Sequence, residues 1–341
     1  MAKKLVIMKA LVIREYGDAD NLQYEEIATP TVTCPNDVIV QVKAAGVNPV
    51  DFKMRKGFLK AILPLSMPIV LGIDYSGIVT EVGSAVTSVK PGDEVFGKIG
   101  MPSSNGTYSE FVKLNDKKDA IVLKPENVSW EQAGSVGVAC LTAYYQLVTQ
   151  GGLKKGDSKR VLVIGASGGV GSFAVQIGKA LGCHVTGICS TANIGFVKSL
   201  GADEVIDYKS QVVAEALKKL PLFDVVCDTV GGDDYFLAAE PCITKGGVYS
   251  TAVGPRGGDD AITIIAILGV IGTIFWRLLF SSVNYKWVML LPPVISDDIT
   301  QWLKEGNLKP VVSDTFSFKD GIKAHKQSET GRTLGKIVLV P

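Results

Sequence analysis

Histidine is nearly missing from this chain of 341 residues, which carries only His184 and His325. A zinc centre built on imidazoles needs several of them at set spacing, so such a site is all but excluded by count. The six cysteines (Cys34, Cys140, Cys183, Cys189, Cys227 and Cys242) form no Cys-x-x-Cys pair. Scattered in this way they fit buried thiols in a reducing compartment, not a disulfide framework. Charge of one sign is also absent, the formal net charge being +1. That removes the electrostatic case for nucleic acid or an anionic membrane as partner. The longest apolar run, 261–276 (AITIIAILGVIGTIFW), falls short of the about 20 residues that cross a bilayer. It is expected to be a buried helix, or one covered at a subunit interface. The N-terminal MAKKLVIMKALVIREYG has its apolar run broken by Lys9, Arg14 and Glu15 and has no small-residue cleavage site, so it reads as a first strand, Leu5 to Arg14, and not as a signal peptide. The expected location is the cytoplasm, or an organelle if a transit segment precedes this chain. No Ser-His-Asp, Cys-His or paired-carboxylate pattern stands out, so covalent catalysis is not indicated.

What is present is a well-cored composition, 47% apolar and 20% charged, at a length that suits two domains. The first 125 or so residues read as β-rich, with runs at Met8–Arg14, Asp37–Ala44, Ile78–Val82, Glu94–Phe96 and Tyr108–Val112 separated by Pro35-Asn36, Pro91-Gly92-Asp93 and Asn105-Gly106. Trp130–Ala139 and Leu141–Thr149 read as helices. After Arg160, strands and helices alternate through Val161–Ile164, Ser172–Leu181, His184–Ile188, Ile194–Leu200, Glu204–Ile206, Val212–Leu220 and Phe223–Val226. That alternation predicts a parallel sheet covered on both faces. Gly335–Val340 is a final strand expected to return to the first domain. The fold class is therefore α/β, with a β-rich domain over 1–128 completed by 308–341 and a doubly wound parallel-sheet domain over 129–307.

The most informative stretch is Val161–Gly171, VLVIGASGGVG. An apolar strand runs into a glycine turn and then into a helix. Such a turn lets backbone approach a pyrophosphate, while the helix start offers free N–H groups and the positive end of its dipole. Gly168, Gly169 and Gly171 shape the turn, and Ser167 and Val170 supply near contacts. A dinucleotide-binding fold that selects NAD usually puts an acid at the end of the second strand for the ribose 2′-hydroxyl. Counting from Gly171 that place is Ser190, and no acid follows until Asp203. NADPH is therefore the expected cofactor, against the lesser alternative that Ser190 is a polar residue that ends a strand. Lys198 and Lys209 are the nearest cations.

Four further segments complete a pattern. They are Gly46-Val47-Asn48-Pro49-Val50-Asp51, Gly72-Ile73-Asp74-Tyr75-Ser76-Gly77, Leu141-Thr142-Ala143-Tyr144 and Gly201-Ala202-Asp203-Glu204-Val205-Ile206-Asp207-Tyr208. With the glycine turn, they make the whole chain resemble the medium-chain dehydrogenase/reductase superfamily, and within it the zinc-independent quinone oxidoreductase group. The resemblance implies a GroES-like catalytic domain beside a Rossmann domain. It implies that Ser190 and Tyr208 meet the 2′-phosphate, that Thr229 and Val230 border the adenosine or ribose, and that Val253 and Gly254 flank the nicotinamide. Asn48 and Asp51 face the cleft in such proteins, where the Asn48 amide can bond cofactor ribose or substrate carbonyl. Asp51 could instead cap the following helix. Tyr75 and Thr142 offer pocket hydroxyls. Lys53 is a candidate cation for a developing enolate or quinol oxygen, against the plainer reading of a solvated side chain.

The departures from the zinc alcohol dehydrogenases of the same superfamily are chemical. Where those place a Cys, a His-Glu pair and a second Cys around the metal, the resemblance aligns Asn48, Ile73-Asp74 and Val138. One carboxylate without thiolate or imidazole is a poor zinc site. The expected activity is NADPH-dependent hydride transfer to a quinone or another α,β-unsaturated carbonyl by a metal-free homodimer acting on a small molecule. The alternatives are an alkenal or enone double-bond reductase without quinone activity, and a cofactor-binding interaction protein with vestigial turnover.

Overall fold

The computed structural model describes residues 6–101, 105–253, 264–288 and 294–341. The chain divides into two compact units, one of residues 1–138, 292–306 and 310–341, the other of 139–291 and 307–309.

In the first unit, the long strand Asp37–Val47 is the backbone of the architecture. It pairs antiparallel with Asp74–Val82, with Phe111–Asn115 and, at its far end, with the C-terminal strand Lys336–Val340. The expected return of the last strand is therefore observed. Lys336–Val340 in turn pairs parallel with Val312–Ser317, a strand not foreseen from the sequence because its buried and exposed positions alternate among polar residues. Ile7–Ile13 forms a smaller sheet with Gln23–Ala28 and Ile69–Val70. A core of branched aliphatic residues, including Leu11, Val40, Val42, Leu71, Val95, Val112 and Leu339, joins the sheets. These β-branched and leucine side chains point inward at alternate strand positions, which is what a pleated, half-buried strand selects. One helical reading shortens here, while the expected Leu141–Thr149 lies within the longer helical stretch of Gly137–Tyr144 and Tyr145–Gln150. Trp130–Ala139 becomes Trp130–Gly134, capped by Ser129 through its hydroxyl to the Gln132 N–H at 3.2 Å, and a second helix begins at Gly137.

Among the described residues, the second unit holds a six-stranded, all-parallel sheet. Its spatial order is Glu204–Asp207, His184–Cys189, Arg160–Ile164, Phe223–Asp228, Ile243–Thr251 and Asn284–Trp287. The first strand in sequence thus lies in the middle, and the chain order reverses between Arg160–Ile164 and Phe223–Asp228. Open parallel sheets bind ligands at the carboxyl ends of the strands at such a reversal. Among the described residues, Asn284–Trp287 is the last strand on one side.

The helix Ile264–Phe280 covers part of the apolar run singled out above; residues 261–263 and Gly254 lie outside the described residues. Burial in a core does not hold for its described outer face. Ile271, Phe275, Trp276, Leu278 and Leu279 are each more than half exposed. The charge inside the helix, Arg277, is instead turned inward and buried. Its guanidinium lies 3.9 Å from the Phe236 ring centre and 5.0 Å from that of Tyr285, and it contacts the Asp233 carboxylate at 2.5 Å. This cation–π and ionic anchor fixes the helix to the sheet. Among the described residues, no helix is long and apolar enough to cross a membrane.

Candidate active site and cofactor cradle

The cofactor cradle is built where the sheet order reverses. The strand Arg160–Ile164 ends at Gly165, whose φ of 78° suits glycine, and the helix Gly169–Ala180 starts four residues later. A Cβ on Gly171 would stand 2.1 Å from the Gly165 carbonyl oxygen, so strand turn and helix pack as closely as backbone allows. At Gly168, by contrast, the nearest atom to an added Cβ is 3.5 Å away. Its side toward the turn is open, and the first N–H groups of a helix of twelve residues lie beside it. Backbone donors and the helix dipole together suit a pyrophosphate.

The structure brings Thr229, Val230 and the Ser167–Asn193 pair to this turn, and places the other predicted residues of this unit as follows. Thr229 donates its hydroxyl to the Ile164 carbonyl at 2.8 Å, and a Cβ on Gly165 would meet Thr229 and Val230 side chains at 2.4 and 2.8 Å. Ser167 accepts a hydrogen bond from the Asn193 amide at 3.0 Å, which ties the glycine turn to the loop after the second strand. Ser190 opens that loop as the residue before the short helix Thr191–Asn193. Tyr208 follows the third strand, is 42% exposed, and carries the Lys209 ammonium 5.3 Å from its ring centre. Val253 follows the fifth strand and donates its N–H to Thr251 Oγ1 at 3.3 Å. Thr142 is buried on the helix Gly137–Tyr144.

Asp207 was missed by reading the sequence. Its carboxylate accepts from the Thr191 hydroxyl at 2.6 Å, the Lys209 N–H at 2.9 Å and the Ser210 hydroxyl at 2.9 Å. The Thr191 bond foremost, and the others after it, hold its carboxyl below the usual range. An acid does stand near the second-strand loop, then, but it is spent on ordering that loop. The signal available was a conventional one: an Asp at a strand end followed by Tyr-Lys-Ser turns the chain by accepting from its own neighbours.

In the first unit, Asn48 and Asp51 meet in a buried polar network. Asn48 precedes the helix Pro49–Arg55, and its N–H donates to Asp51 Oδ2 at 2.7 Å. Tyr108 donates to the same oxygen at 2.7 Å. Asp51 is fully buried and serves as the helix-capping carboxylate. Burial pushes its pKa up to about 7, against the pull of its Tyr108 and Asn48 bonds. The Asn48 side chain donates from Nδ2 to Asp74 Oδ2 at 2.9 Å and accepts at Oδ1 from Lys336 Nζ at 2.6 Å. Lys336 also donates to the Val47 carbonyl at 3.1 Å and lies 3.6 Å from Asp74 Oδ2. The second Asp74 oxygen accepts the Val138 N–H at 2.7 Å. Burial raises the Asp74 carboxyl and lowers the Lys336 ammonium, while each charge pulls the other back. The donor set favours the ionised pair, because Asp74 takes N–H bonds on both oxygens and Lys336 points at oxygens only.

Tyr75 lies elsewhere. It is fully buried in the core, its hydroxyl donated to the Ala120 carbonyl at 2.9 Å, so the structure places it in the sheet and not on an open pocket. Lys53 sits on the helix Pro49–Arg55 and is partly exposed.

A cavity of about 350 Å³ opens beside the network. Met54, Leu63, Leu65, Ile69, Leu71, Ile73, Ile99 and Met101 line it, and Ser66 and Asn105 supply polar side chains; among the described residues no charged one contributes. Ile73 in its wall is the neighbour of Asp74. Gly72, also in the wall, is backed by Tyr108, whose ring carbon would lie 2.4 Å from a Cβ there.

The family profile for the alcohol dehydrogenase GroES-like domain matches residues 34–126, and that for a zinc-binding dehydrogenase matches 200–339. The NAD(P)H oxidoreductase RTN4IP1, mitochondrial, of Mus musculus is 37% identical over 98% of this chain and 89% of its own length. This chain belongs to the medium-chain dehydrogenase/reductase superfamily. The chloroplast envelope quinone oxidoreductase homolog of Arabidopsis thaliana is 34% identical over the full length of both chains. Among solved structures, the Escherichia coli quinone oxidoreductase complexed with NADPH superposes with a TM-score of 0.79 at 26% identity, over 98% of this chain and 100% of that one. The GroES-like unit and the parallel-sheet unit are those of the family, and the chain is an NAD(P)H-type oxidoreductase.

One family profile implies zinc, and the residues present do not fit it. The three aligned ligand positions do converge, Asn48 and Val138 both bonding to Asp74, but they bring an amide, a backbone N–H and one carboxylate. At these three positions that offers a metal no thiolate or imidazole, and a single carboxylate whose two oxygens already accept N–H bonds.

The buried capping carboxylate gives a pH prediction. Because the folded pKa of Asp51 is raised from 3.8 to about 7, its contribution to stability is full below the unfolded value and declines as pH rises through about 7. Asp51→Asn keeps the acceptor for Tyr108 and the Asn48 N–H without the charge. Its stability should gain on that of the wild type as pH rises from about 4 to about 7, with a slope approaching about 1.4 kcal/mol per pH unit, and the gain should level off above that. Parallel melting curves across the range would show Asp51 to be ionised and comfortable throughout.

Proposed function

We propose that this protein transfers a hydride from NADPH to a quinone or another α,β-unsaturated carbonyl, with no metal in the reaction. The observation that carries the reading is the uncharged, largely apolar cavity of the first unit, walled by Ile73 next to the Asp74 network. A conjugated ring or enal can bury its apolar body there. An acceptor bearing a carboxylate or phosphate would lose hydration there without meeting a counter-charge. Bound nicotinamide supplies the hydride. The glycine turn holds the pyrophosphate, Thr229, Val230, Val253 and Thr142 border the nucleoside parts, and Ser190 and Tyr208 meet the 2′-phosphate, with Lys209 as the nearby cation. Asn48 offers an amide N–H to an oxygen of the bound reactants, and Lys53 remains the candidate cation for developing negative charge. The test is NADPH oxidation by the purified protein against a panel of quinones, alkenals and enones, in the presence of a strong chelator. Turnover of a quinone or enone that survives chelation supports the reading. Alcohol oxidation that tracks about one zinc per chain overturns it.

NADPH should bind more tightly than NADH, and Ser190→Asp should invert the preference by repelling the 2′-phosphate. Titration of both cofactors against both proteins reads this directly; equal affinities in the wild type would remove Ser190 and Tyr208 from the site.

We also propose a homodimer that covers Ile271, Phe275 and Leu279 of the helix Ile264–Phe280. An apolar face of that kind is costly to leave in water. Sedimentation should give a dimer for the wild type and a monomer for Phe275→Asp, and a monomeric wild type would refute it. The organellar names of both relatives support an organelle as the place of action over the cytoplasm.

A further inference from the structure

We propose that Lys336 is the resident cation of the catalytic unit, standing in for the charge that a metal supplies in zinc-binding members of the family, and that it is a positioning residue for Asn48 and Asp74. The positions aligned with metal ligands close on one another around Asp74, and the positive charge beside them comes from the C-terminal strand. Lys336 is only 3% exposed, and its three close oxygens are Asn48 Oδ1, the Val47 carbonyl and Asp74 Oδ2 at 2.6, 3.1 and 3.6 Å. A divalent ion and this ammonium would compete for the same small set of oxygens.

The lysine also decides which way the Asn48 amide faces. An ammonium can only donate and a carboxylate can only accept, so Oδ1 is directed to Lys336 and Nδ2 to Asp74. One Nδ2 hydrogen is used by Asp74. The other remains for a ligand oxygen, and its donor strength is raised by the positive charge on the amide carbonyl. Without Lys336 the amide oxygen loses its donor, Asp74 alone holds Nδ2, and the side chain can turn about that one bond and carry its second N–H away from the reactants. The same substitution leaves Asp74 as a buried charge directly behind Ile73, a wall residue of the cavity. In this way a residue on the last strand controls both the donor and the shape of the acceptor pocket.

The inference rests on the acceptor reading above for its kinetic arm only. In that arm, Lys336→Ala is compared with the wild type and with Lys336→Arg in the full chain. The alanine variant should lose about a hundredfold in kcat, the scale expected when a polar group is misplaced by about an ångström. NADPH affinity, set by the other unit, should stay within about threefold, a smaller change than the about tenfold that 1.4 kcal/mol represents. Added methylammonium or ethylammonium should restore kcat, and tetramethylammonium, which has no N–H, should not. Restored melting temperature without restored turnover would reduce Lys336 to a structural role and overturn the proposal. So would an alanine variant that turns over within about twofold of the wild type.

The second arm needs no acceptor. With ¹⁵N-labelled lysine, the wild type should show a slowly exchanging NH₃⁺ resonance at neutral pH that disappears in Lys336→Met, while any from the buried Lys98 persists. Absence of that resonance in the wild type overturns the resident-cation assignment. If the resonance is present but no quinone or enone is turned over, the acceptor reading fails while the assignment of Lys336 stands.

Discussion

Gly171→Val is expected to raise the dissociation constant for NADPH by at least about a hundredfold, a loss of about 2.7 kcal/mol of binding energy. The reason is local and steric. The new Cβ would stand 2.1 Å from the Gly165 carbonyl oxygen and 2.8 Å from Ala166 Cα, both of them backbone atoms that cannot turn aside. The helix Gly169–Ala180 must then move off the turn, and its first N–H groups no longer converge on a pyrophosphate. Calorimetric titration with NADPH measures the effect. Gly168→Ala separates binding from folding, because its Cβ meets nothing closer than 3.5 Å in the protein. It should melt close to the wild type while crowding the phosphate. Wild-type affinity in Gly171→Val would show that the cofactor does not use this turn.

How far the sequence alone led depends on whether the chemistry was local. The glycine turn, its strand and its helix are consecutive in the chain, and each obeys a rule written in a dozen residues. Ser167, Gly168, Thr229 and Val230 consequently gather around one turn as read. The alternation of strands and helices after Arg160 likewise survives in the sheet order, because parallel strands need crossovers that show as alternating periodicity. The polar network of the first unit was not legible in the same way. Asn48, Asp74, Tyr108 and Lys336 come from four separated segments, and Lys336 lies 288 residues from the Asn48 it holds. A single clue was available: a lysine inside Gly335–Val340, otherwise an apolar strand, at a position where the pleat turns a side chain inward. Buried charges of that kind are kept only with a partner.

Tyr75 shows the opposite error. Next to Asp74 in sequence, it was read as a pocket hydroxyl, but successive side chains on a strand point to opposite faces, and Tyr75 enters the core. Asp207 was passed over because the ribose rule asks for an acid at the end of the second strand, whereas this one reaches the same loop from the end of the third. The apolar run of 261–276 was read as too short to span a membrane, and among the described residues no helix is long and apolar enough to do so. Its outward face could not be told from a core face, since periodicity reports an apolar stripe and not what covers it.

The largest stability effect is expected from Asp74→Asn. The substitution preserves shape, which matters where Gly46 and Gly137 pack against the carboxyl; a Cβ on Gly137 would come within 2.2 Å of Asp74 Oδ1. The amide can still accept from one N–H, but it brings its own two donors to a site already full of donors and leaves the Lys336 ammonium unbalanced at 3% exposure. Breaking one partner of a buried pair costs about 3–5 kcal/mol. That is a large part of the about 5–15 kcal/mol that holds a domain together. Lys336→Met alone strands the opposite charge and should cost a comparable amount. The double variant, Asp74→Asn with Lys336→Met, removes both charges and is expected to recover a large share of the loss, because two buried ions are replaced by an amide and an apolar chain of similar length. Denaturant unfolding of the four proteins measures the coupling, and additive losses would show that the two charges do not pair. Kinetics on the same set then distinguish stability from positioning. A double variant that is stable yet still about a hundredfold slow has regained its fold without regaining the charge that orients Asn48. If stability and turnover return together, the pair serves the fold alone.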